Sequence, residues 1–257
     1  MDQDPPESTK ADGVKRFLPL KVGISDVANI DFYYIDFKPP SGETPETMFK
    51  KIRLAFPEFA AGKGAVKEFA FGPYRGSLDA NDKFLKANTE LWNKTEPLGA
   101  LMTFLLGTKY PHSARLFAGD YQAAPGSVGL FEKAGDVQVT CASPTDFIFT
   151  TVDTKVGKVH PVAGNRGFGI QPNPDGTFRF YSMAADRQSD SFPVRLAGWT
   201  GDDVFCQGHD FWILFYSNMK SFLKTKNSAV LTNHGPVKYP FDENGNHPAL
   251  DCTTSQK

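Results

Sequence analysis

The sequence predicts an α+β fold in which a curved antiparallel sheet packs on helices, among them a long C-terminal amphipathic helix. Alternation of apolar and polar residues predicts several strands over 113–187. Apolar residues at helical spacing predict the long helix over about 208–225. Phe, with 23 residues, also outnumbers Leu, and aromatic side chains favour pleated strands and wide spaces between layers.

The first part of the chain is predicted to contain an extended segment followed by a helix. Residues 17–37 include an aromatic and β-branched run that stops at two prolines, which is typical of a strand. Thr44 is a good N-cap and Pro45 suits the first helical position. Apolar residues then recur at helical spacing until Pro57, which is expected to end this helix.

Two more helices are predicted before the strands begin. One covers about 80–94, where apolar residues share one face. The other is the nearly all-apolar segment 98–106, interpreted as a buried helix. Between the first helix and these two, Gly62 and Gly64 lack the third glycine of a phosphate-binding loop, so an ordinary loop is expected there.

A β-hairpin is the most specific local prediction. The segments 166–171 and 177–183 alternate as strands do, and they are joined by a turn sequence. Proline fixes φ and glycine supplies positive φ in that turn, which is Pro174-Asp175-Gly176. Two earlier strands are predicted at 136–141 and 146–152.

The chain is expected to form a single α+β domain over 15–226. Residues 1–14 are polar and poor in apolar groups, so they are expected to be disordered. Residues 227–257 are rich in Pro, Asn and Gly, and a loop-rich tail is expected there.

The charge balance excludes several classes of function. The chain has 28 Lys and Arg and 29 Asp and Glu, a formal net charge of −1, which argues against a general nucleic-acid binder. Its apolar runs are far shorter than the roughly 20 residues that span a bilayer, so a soluble protein without a transmembrane segment is expected. The N-terminus lacks the pattern of a Sec signal peptide. A cytoplasmic location is therefore expected, while export by a non-Sec route and a removed signal peptide stay open.

The cysteines and histidines predict neither a metal site nor a cofactor. Cys141, Cys206 and Cys252 are far apart and form no C-x-x-C pair, so buried free thiols are expected, with Cys141 at the core-facing end of its strand. No two histidines have the spacing of a metal-binding motif. Cys206 precedes His209 by three residues, and such a pair can activate a thiolate, although this stretch is also typical of a helix start.

One segment resembles a pattern found in uncharacterised bacterial proteins. It reads H-P-x-x-G-x-R-x-F-G from His160, followed by F-Y-x-x-x-A-D-R from Phe180, and the resemblance covers about 145–225. It implies no activity and no catalytic residues. The order of elements is also similar in architecture to helix-grip domains of the START and polyketide-cyclase type, which place a long C-terminal helix across a curved sheet and often bind hydrophobic ligands.

Two arginines of this segment are candidates for a binding site. If the hairpin strands pair, Arg166 and Arg187 lie near each other, and Asp186 can pair with Arg166 at the open end. The plainer interpretation is an ion pair at the surface or rim that locks the hairpin. The functional interpretation is an anion or carboxylate site at the mouth of a pocket. Gly164, Gly167 and Gly169 suggest either a tight entry into a strand or close approach of another backbone.

The preferred hypothesis is a non-enzymatic protein that binds a hydrophobic small molecule or a partner chain. It predicts an apolar pocket between the sheet and the 208–225 helix. The candidate ligand-binding residues are Arg166, Phe168, Phe180, Arg187, Trp212 and Phe215. The alternative is a hydrolase whose site is assembled from dispersed residues, with Cys206, His209 or His160 close to an acid in a cleft. A third possibility is an interaction protein with a solid core and an exposed apolar patch. The sequence does not predict an oligomeric state.

Overall fold

The computed structural model describes residues 5, 7–26, 28–60, 62–63, 68–76, 81–108, 134–155, 160–189 and 201–241. For 62–63, 68–70, 105–108, 134, 201–204, 206–207 and 232–241 it describes the backbone alone. The described strands are β1 (Val14–Phe17), β2 (Ala28–Lys38), β3 (Gly62–Lys63), β4 (Glu68–Pro73), β5 (Leu101–Thr108), β6 (Ala134–Ala142), β7 (Asp146–Thr154), β8 (Val162–Pro172), β9 (Phe178–Gln188) and β10 (Ala229–Phe241). The described α-helices are α1 (Pro45–Leu54), α2 (Phe56–Phe59), α3 (Lys83–Asn93) and α4 (Gly201–Thr225).

All ten strands belong to one sheet. Its order is β10-β2-β9-β8-β7-β6-β5-β4-β3, and β1 pairs with β7 outside this path. Every neighbouring pair is antiparallel. The predicted α+β class with an antiparallel sheet is therefore confirmed.

Local signals predicted several elements correctly. The Thr44 side chain accepts a hydrogen bond from the backbone N–H of Thr47 and forms a capping box with it at the start of α1. The predicted hairpin is β8–β9, and Gly176 in its turn has a φ of 80°. Pro57 does not end the helical region, because it lies in the first turn of α2, where a missing N–H costs no hydrogen bond.

Two secondary-structure predictions are wrong. The apolar segment 98–106 is not a helix, since most of it belongs to β5, which pairs with β4 and β6. A short apolar run fits a buried strand as well as a buried helix, so periodicity could not separate them. The chain after Asn227 is not all loop, because β10 pairs along β2, with a register shift between His234 and Val237 that accommodates Pro236.

Cys141 is exposed, so the prediction that it faces the core is wrong. The register of β6 against β7 shifts between Val139 and Cys141. Val139 is fully buried, and the extra residue of this bulge moves Cys141 to the other side of the alternation.

The division of the chain into 1–14, 15–226 and 227–257 stays a prediction. Within the first range, residues Glu7–Thr9 form a 3-10 turn next to the sheet. The Gln138 side chain accepts a hydrogen bond from the Ala11 N–H and donates one to the Thr9 carbonyl oxygen.

The main core lies between one face of the sheet and the helices. The apolar stripe predicted for the long helix is buried in it, apart from Phe222, which is partly buried. The helix begins at Gly201, earlier than the periodicity predicted. The α4 side chains in this core are Phe211, Trp212, Phe215, Tyr216, Met219 and Leu223. Rings from α1, α2, α3 and the inward-facing positions of six strands also belong to this core.

Candidate ligand-binding cavity

A buried ion pair lies at one end of the space between the sheet and α4. Ala184 of β9 is paired with Asp31 of β2 on one side and with Arg166 of β8 on the other. Residues opposite each other share a face of the sheet. Because Ala184 has only a methyl side chain, the Arg166 side chain reaches across it, and Nη2 lies 2.6 Å from Asp31 Oδ2.

A second carboxylate joins this pair from β9. Asp186 Oδ2 lies 3.9 Å from Arg166 Nη2, and its backbone is paired with Gly164. A Cβ at Gly164 would lie 2.5 Å from Asp186 Oδ1 and 2.2 Å from the Ala185 carbonyl oxygen. Glycine is therefore required at 164, because no side chain fits under the Asp186 carboxylate.

The α4 helix covers the ion pair with an indole ring. The Arg166 guanidinium carbon lies 4.1 Å from the centroid of the Trp212 ring, which is the geometry of a cation–π contact. The Arg166 side chain is 11% exposed and that of Asp31 is 5% exposed. These charges are thus held between the sheet and an aromatic side chain rather than at the surface.

Burial changes the titration of this cluster. Burial raises the pKa of Asp186 to about 7, and the nearby Arg166 only partly opposes that rise. Burial lowers the pKa of Arg166, but Asp31 and Asp186 outweigh it, so the pKa lies above its ordinary value. Burial, and then the Asp31 charge, raise the pKa of Tyr33, whose hydroxyl lies 3.1 Å from His209 Nδ1.

Three buried polar atoms of this cluster have no hydrogen-bond partner among the described residues. They are Arg166 Nη1, Asp31 Oδ1 and Asn29 Oδ1. Asn29 lies two residues before Asp31 on β2, and its Nδ2 donates to Asp31 Oδ2 at 3.3 Å. Buried polar atoms in proteins are nearly always paired, so these three are exceptions within the described part of the chain, as are Arg53 Nε and Trp92 Nε1 elsewhere in the core.

Asn29, Asp31 and Arg166 line a cavity of about 110 Å³ between the sheet and α4. The volume is of the same order as the roughly 150 Å³ of an engineered apolar cavity that binds benzene. Its apolar walls are Phe104, Val137, Phe149, Pro161, Val162, Phe205, Phe211 and Trp212. Its polar lining consists of Asn29, Asp31, Thr151, His160, Arg166 and Asp186, and Gly208 lies on the α4 side.

The six predicted ligand-binding residues occupy three different places. Arg166 and Trp212 line the cavity. Phe168, Phe180 and Phe215 are buried in the aromatic core and are not part of the lining. Arg187 follows Asp186 on β9, so it lies on the opposite face of the sheet from Asp186. Ligand binding by these residues stays a prediction.

The predicted proximity of Arg166 and Asp186 is present, but the surroundings differ from the plainer interpretation. The pair is buried rather than at the surface, and the nearest partner of Arg166 is Asp31. The sequence carried a signal for Asp31 that the prediction missed. Asp31 lies an even number of positions from Ile35 and Phe37 along β2, so the three side chains share one face of the strand. Ile35 and Phe37 are fully buried, so a charged residue occurs on the buried face.

The structure gives side-chain contacts for His160 and His209, two of the three residues considered for catalysis. His160 lines the cavity, and its Nδ1 lies 2.8 Å from the Val162 carbonyl oxygen. Burial lowers the pKa of His160 to about 4, so its imidazole is neutral at pH 7. The side chain of Cys206 lies outside the described residues, so the predicted pair with His209 stays a prediction. Within the described residues there is no group of three or more His, Cys, Asp or Glu that could hold a metal ion.

Comparison with protein-family models and with curated proteins gives no match for this chain. The resemblance of residues 145–225 to uncharacterised bacterial proteins, and the likeness to helix-grip domains, therefore stay predictions. None of the described helices is long and apolar enough to cross a bilayer.

Proposed function

We propose that this chain is a non-enzymatic binding protein that holds a small, largely apolar molecule between the sheet and α4. The observation that carries the proposal is the aromatic-walled cavity with a few charged and polar side chains in its lining. Apolar walls with a few convergent polar groups are typical of small-molecule sites. The walls supply affinity through burial, and the polar end orients the bound molecule.

In this proposal the sheet curves around α4 so that the helix forms one wall of the site. Phe205, Phe211 and Trp212 of α4 then line the cavity together with Phe104 and Phe149 of the sheet. This is the arrangement expected from the likeness to helix-grip domains, in which the space between the sheet and the long helix takes the ligand.

A small-molecule ligand fits this structure better than a partner chain does. Docking of a partner needs a continuous exposed apolar patch. Among the described residues, the exposed large apolar side chains belong to several separate segments, whereas apolar side chains are concentrated in the cavity. The exposed ones are Val22, Ile24, Leu54, Leu98, Ile213 and Leu231.

A cavity-filling variant tests the proposal. A Cβ at Gly208 meets no atom within 4 Å, and Gly208 lines the cavity, so Gly208→Leu places a side chain in the site. Leu in place of Gly within a helix should stabilise the fold by up to about 1 kcal/mol, so the variant should fold. Ser217→Leu, at an exposed position of the same helix, is the matched control.

Native mass spectrometry and NMR titration with toluene supply the readout. We expect toluene to bind the wild type and Ser217→Leu with resonance shifts at the cavity, and Gly208→Leu to weaken binding at least tenfold. A co-purifying small molecule should disappear in the same variant. Failure of both toluene and any co-purifying molecule to bind the wild type would contradict the proposal, as would unchanged binding in Gly208→Leu.

A further inference from the structure

We infer that the cavity recognises a protonated primary amine on a small apolar body, with Asp186 as the counter-ion of its ammonium group. The inference rests on the proposed ligand-binding function and names the chemical class of the ligand. It follows from which carboxyl group of the lining is open to a ligand, from the balance of charge around that group and from the aromatic walls.

The two carboxyl groups of the cavity lining differ in their access to a bound molecule. The Asp31 Oδ2 atom is hydrogen-bonded to Arg166, and its Oδ1 is enclosed by the protein. Asp186 accepts no hydrogen bond from the described residues, and neither of its oxygens is among the fully buried unpaired atoms. Its side chain is 12% exposed, and the residue lines the cavity. A molecule in the cavity can therefore contact the carboxyl group of Asp186.

The described part of the lining contains more carboxyl groups than cations. Asp31 and Asp186 supply two carboxyl groups, and Arg166 supplies one guanidinium group. Arg166 Nη2 lies 2.6 Å from Asp31 Oδ2 and 3.9 Å from Asp186 Oδ2, so Asp31 is its closer counter-ion. Burial lowers the pKa of His160 to about 4, so this imidazole adds no charge at pH 7. When Asp186 is ionised, the group has one net negative charge, which a ligand with one positive charge neutralises.

The walls of the cavity also favour a cation. Aromatic ring faces attract ammonium groups, most strongly where water is excluded. Arg166 already has such a contact, with its guanidinium carbon 4.1 Å from the centroid of the Trp212 ring. The volume of about 110 Å³ limits the apolar body of the ligand to about one small ring. The aromatic residues of the lining are Phe104, Phe149, Phe205, Phe211 and Trp212.

An anion does not fit this balance of charge. Arg166 already has two carboxyl groups beside it, so a bound anion would meet more negative than positive charge. A neutral ligand that accepts a hydrogen bond from protonated Asp186 is the closer alternative, because burial raises the pKa of Asp186 to about 7. The two ligand classes differ in pH dependence, since an ammonium group needs ionised Asp186 and a neutral acceptor needs the protonated form.

The groups that act on Asp186 come from neighbouring strands. Burial raises its pKa most, Arg166 of β8 lowers the pKa, and Asp31 of β2 raises it. Tyr33 of β2 also interacts with Asp186, and burial raises the pKa of Tyr33, so this hydroxyl stays neutral near pH 7. None of the described α4 residues in the lining carries a charge. A bound ammonium group should therefore lower the pKa of Asp186 and release its proton.

Four probes with one ring separate this inference from the proposed function. Benzylammonium, benzyl alcohol, benzoate and toluene differ in the group on the ring, and each is titrated into the wild-type protein by NMR at pH 6 and pH 8. At pH 8 we expect benzylammonium to bind roughly tenfold more tightly than each of the others, because it alone neutralises Asp186. Preferred binding of benzyl alcohol, benzoate or toluene at pH 8 would overturn the inference and leave the binding function intact. Absence of binding by all four would overturn both.

The pH dependence gives a second readout from the same titrations. A carboxyl group with a pKa of about 7 is about one-tenth ionised at pH 6 and about nine-tenths ionised at pH 8. An alkylammonium group stays protonated over this range, so the affinity for benzylammonium should rise by about tenfold, while that for toluene stays constant. An affinity for benzylammonium that is constant or falls from pH 6 to pH 8 would overturn the inference.

A variant locates the recognition at Asp186. Asp186→Asn removes the charge and keeps the shape, so benzylammonium should bind roughly tenfold more weakly at pH 8 and lose its pH dependence, while toluene binds as before. Asp36→Asn is the matched control, since Asp36 pairs with Arg179 on the other face of the sheet and is not part of the lining. It should bind benzylammonium as the wild type does.

Two results with Asp186→Asn have different meanings. Unchanged binding of benzylammonium in this variant would contradict the inference. Equal losses for benzylammonium and toluene would indicate a change in folding, and the pH dependence of the wild type then decides.

Discussion

The layer between the sheet and the helices has two regions with different chemistry. Around Phe56 the side chains are aromatic, and the Phe56 ring centroid lies 4.9 Å from that of Phe168 and 4.8 Å from that of Phe215. Around Arg166 the same layer contains an ion pair and unpaired polar atoms beside a cavity. The first region is packed ring against ring, whereas the second holds charged side chains next to open space.

The difference separates a region whose packing stabilises the fold from the region in which we propose that a ligand binds. Aromatic packing adds to stability with every buried ring and tolerates many arrangements. A buried ion pair gives little net stability, because removing two charges from water offsets their attraction. A charged cluster inside a Phe-rich core therefore fits the binding function proposed above better than a role in stability.

The largest expected effect is on the aromatic region. Phe56→Ala removes a fully buried ring at its centre, so the free energy of unfolding should fall by about 4 kcal/mol. Phe32→Ala is the matched control, because Phe32 is partly exposed on the other face of the sheet, near Tyr181. It should lose about 1 kcal/mol. Chemical denaturation measures the free energy of unfolding of both variants. Equal losses would show that the two faces of the sheet contribute equally to stability.

The next effect in size concerns the ion pair. Arg166→Met leaves Asp31 buried without its counter-ion, which should lower the free energy of unfolding by about 3 kcal/mol. Arg179→Met should lose about 1 kcal/mol or less, because its pair with Asp36 joins β9 to β2 on a more exposed face of the same sheet.

A double variant completes this measurement. Arg166→Met combined with Asp31→Leu removes both charges, so it should recover most of the loss caused by Arg166→Met alone. The double variant would instead be less stable than Arg166→Met alone if Asp31→Leu simply adds the loss of a second core substitution. In that case the ion pair contributes more to stability than the comparison of the two regions implies.

The smallest expected effect is a pH dependence from Asp186. Its pKa is about 7 in the folded protein and about 4 in an unfolded chain, so between these values the folded state binds more protons. Stability from this group is therefore present at low pH and is lost as pH rises through 7. Asp186→Asn should remove that loss, and its free energy of unfolding relative to the wild type should rise by about 1 to 3 kcal/mol from pH 5 to pH 8.

Urea denaturation at several pH values checks this expectation. His160 titrates in the opposite sense, because its pKa is lowered to about 4 and burial of its neutral form favours folding as pH rises from 4 to 6.5. That contribution is common to both proteins and cancels in the difference between them. A difference that is constant with pH would contradict a raised pKa at Asp186.

Much of the fold could be predicted because its signals are local. The Thr44 cap, the turn at Gly176 and the apolar stripe of α4 each depend on residues a few positions apart. The failures are equally instructive. The β5 segment lacked periodicity, and one inserted residue in β6 reversed the orientation expected for Cys141.

The sequence by itself determined the class of fold, the hairpin that carries Arg166 and the stripe that carries Trp212, because alternation, turns and helical periodicity act between near neighbours. Only the tertiary structure decided the cavity. Asp31 and Arg166 are 135 positions apart, and they meet because β9 lies between their strands with the small residue Ala184 at the shared position. Strand order and register join distant segments, and no local preference specifies which distant strands become neighbours.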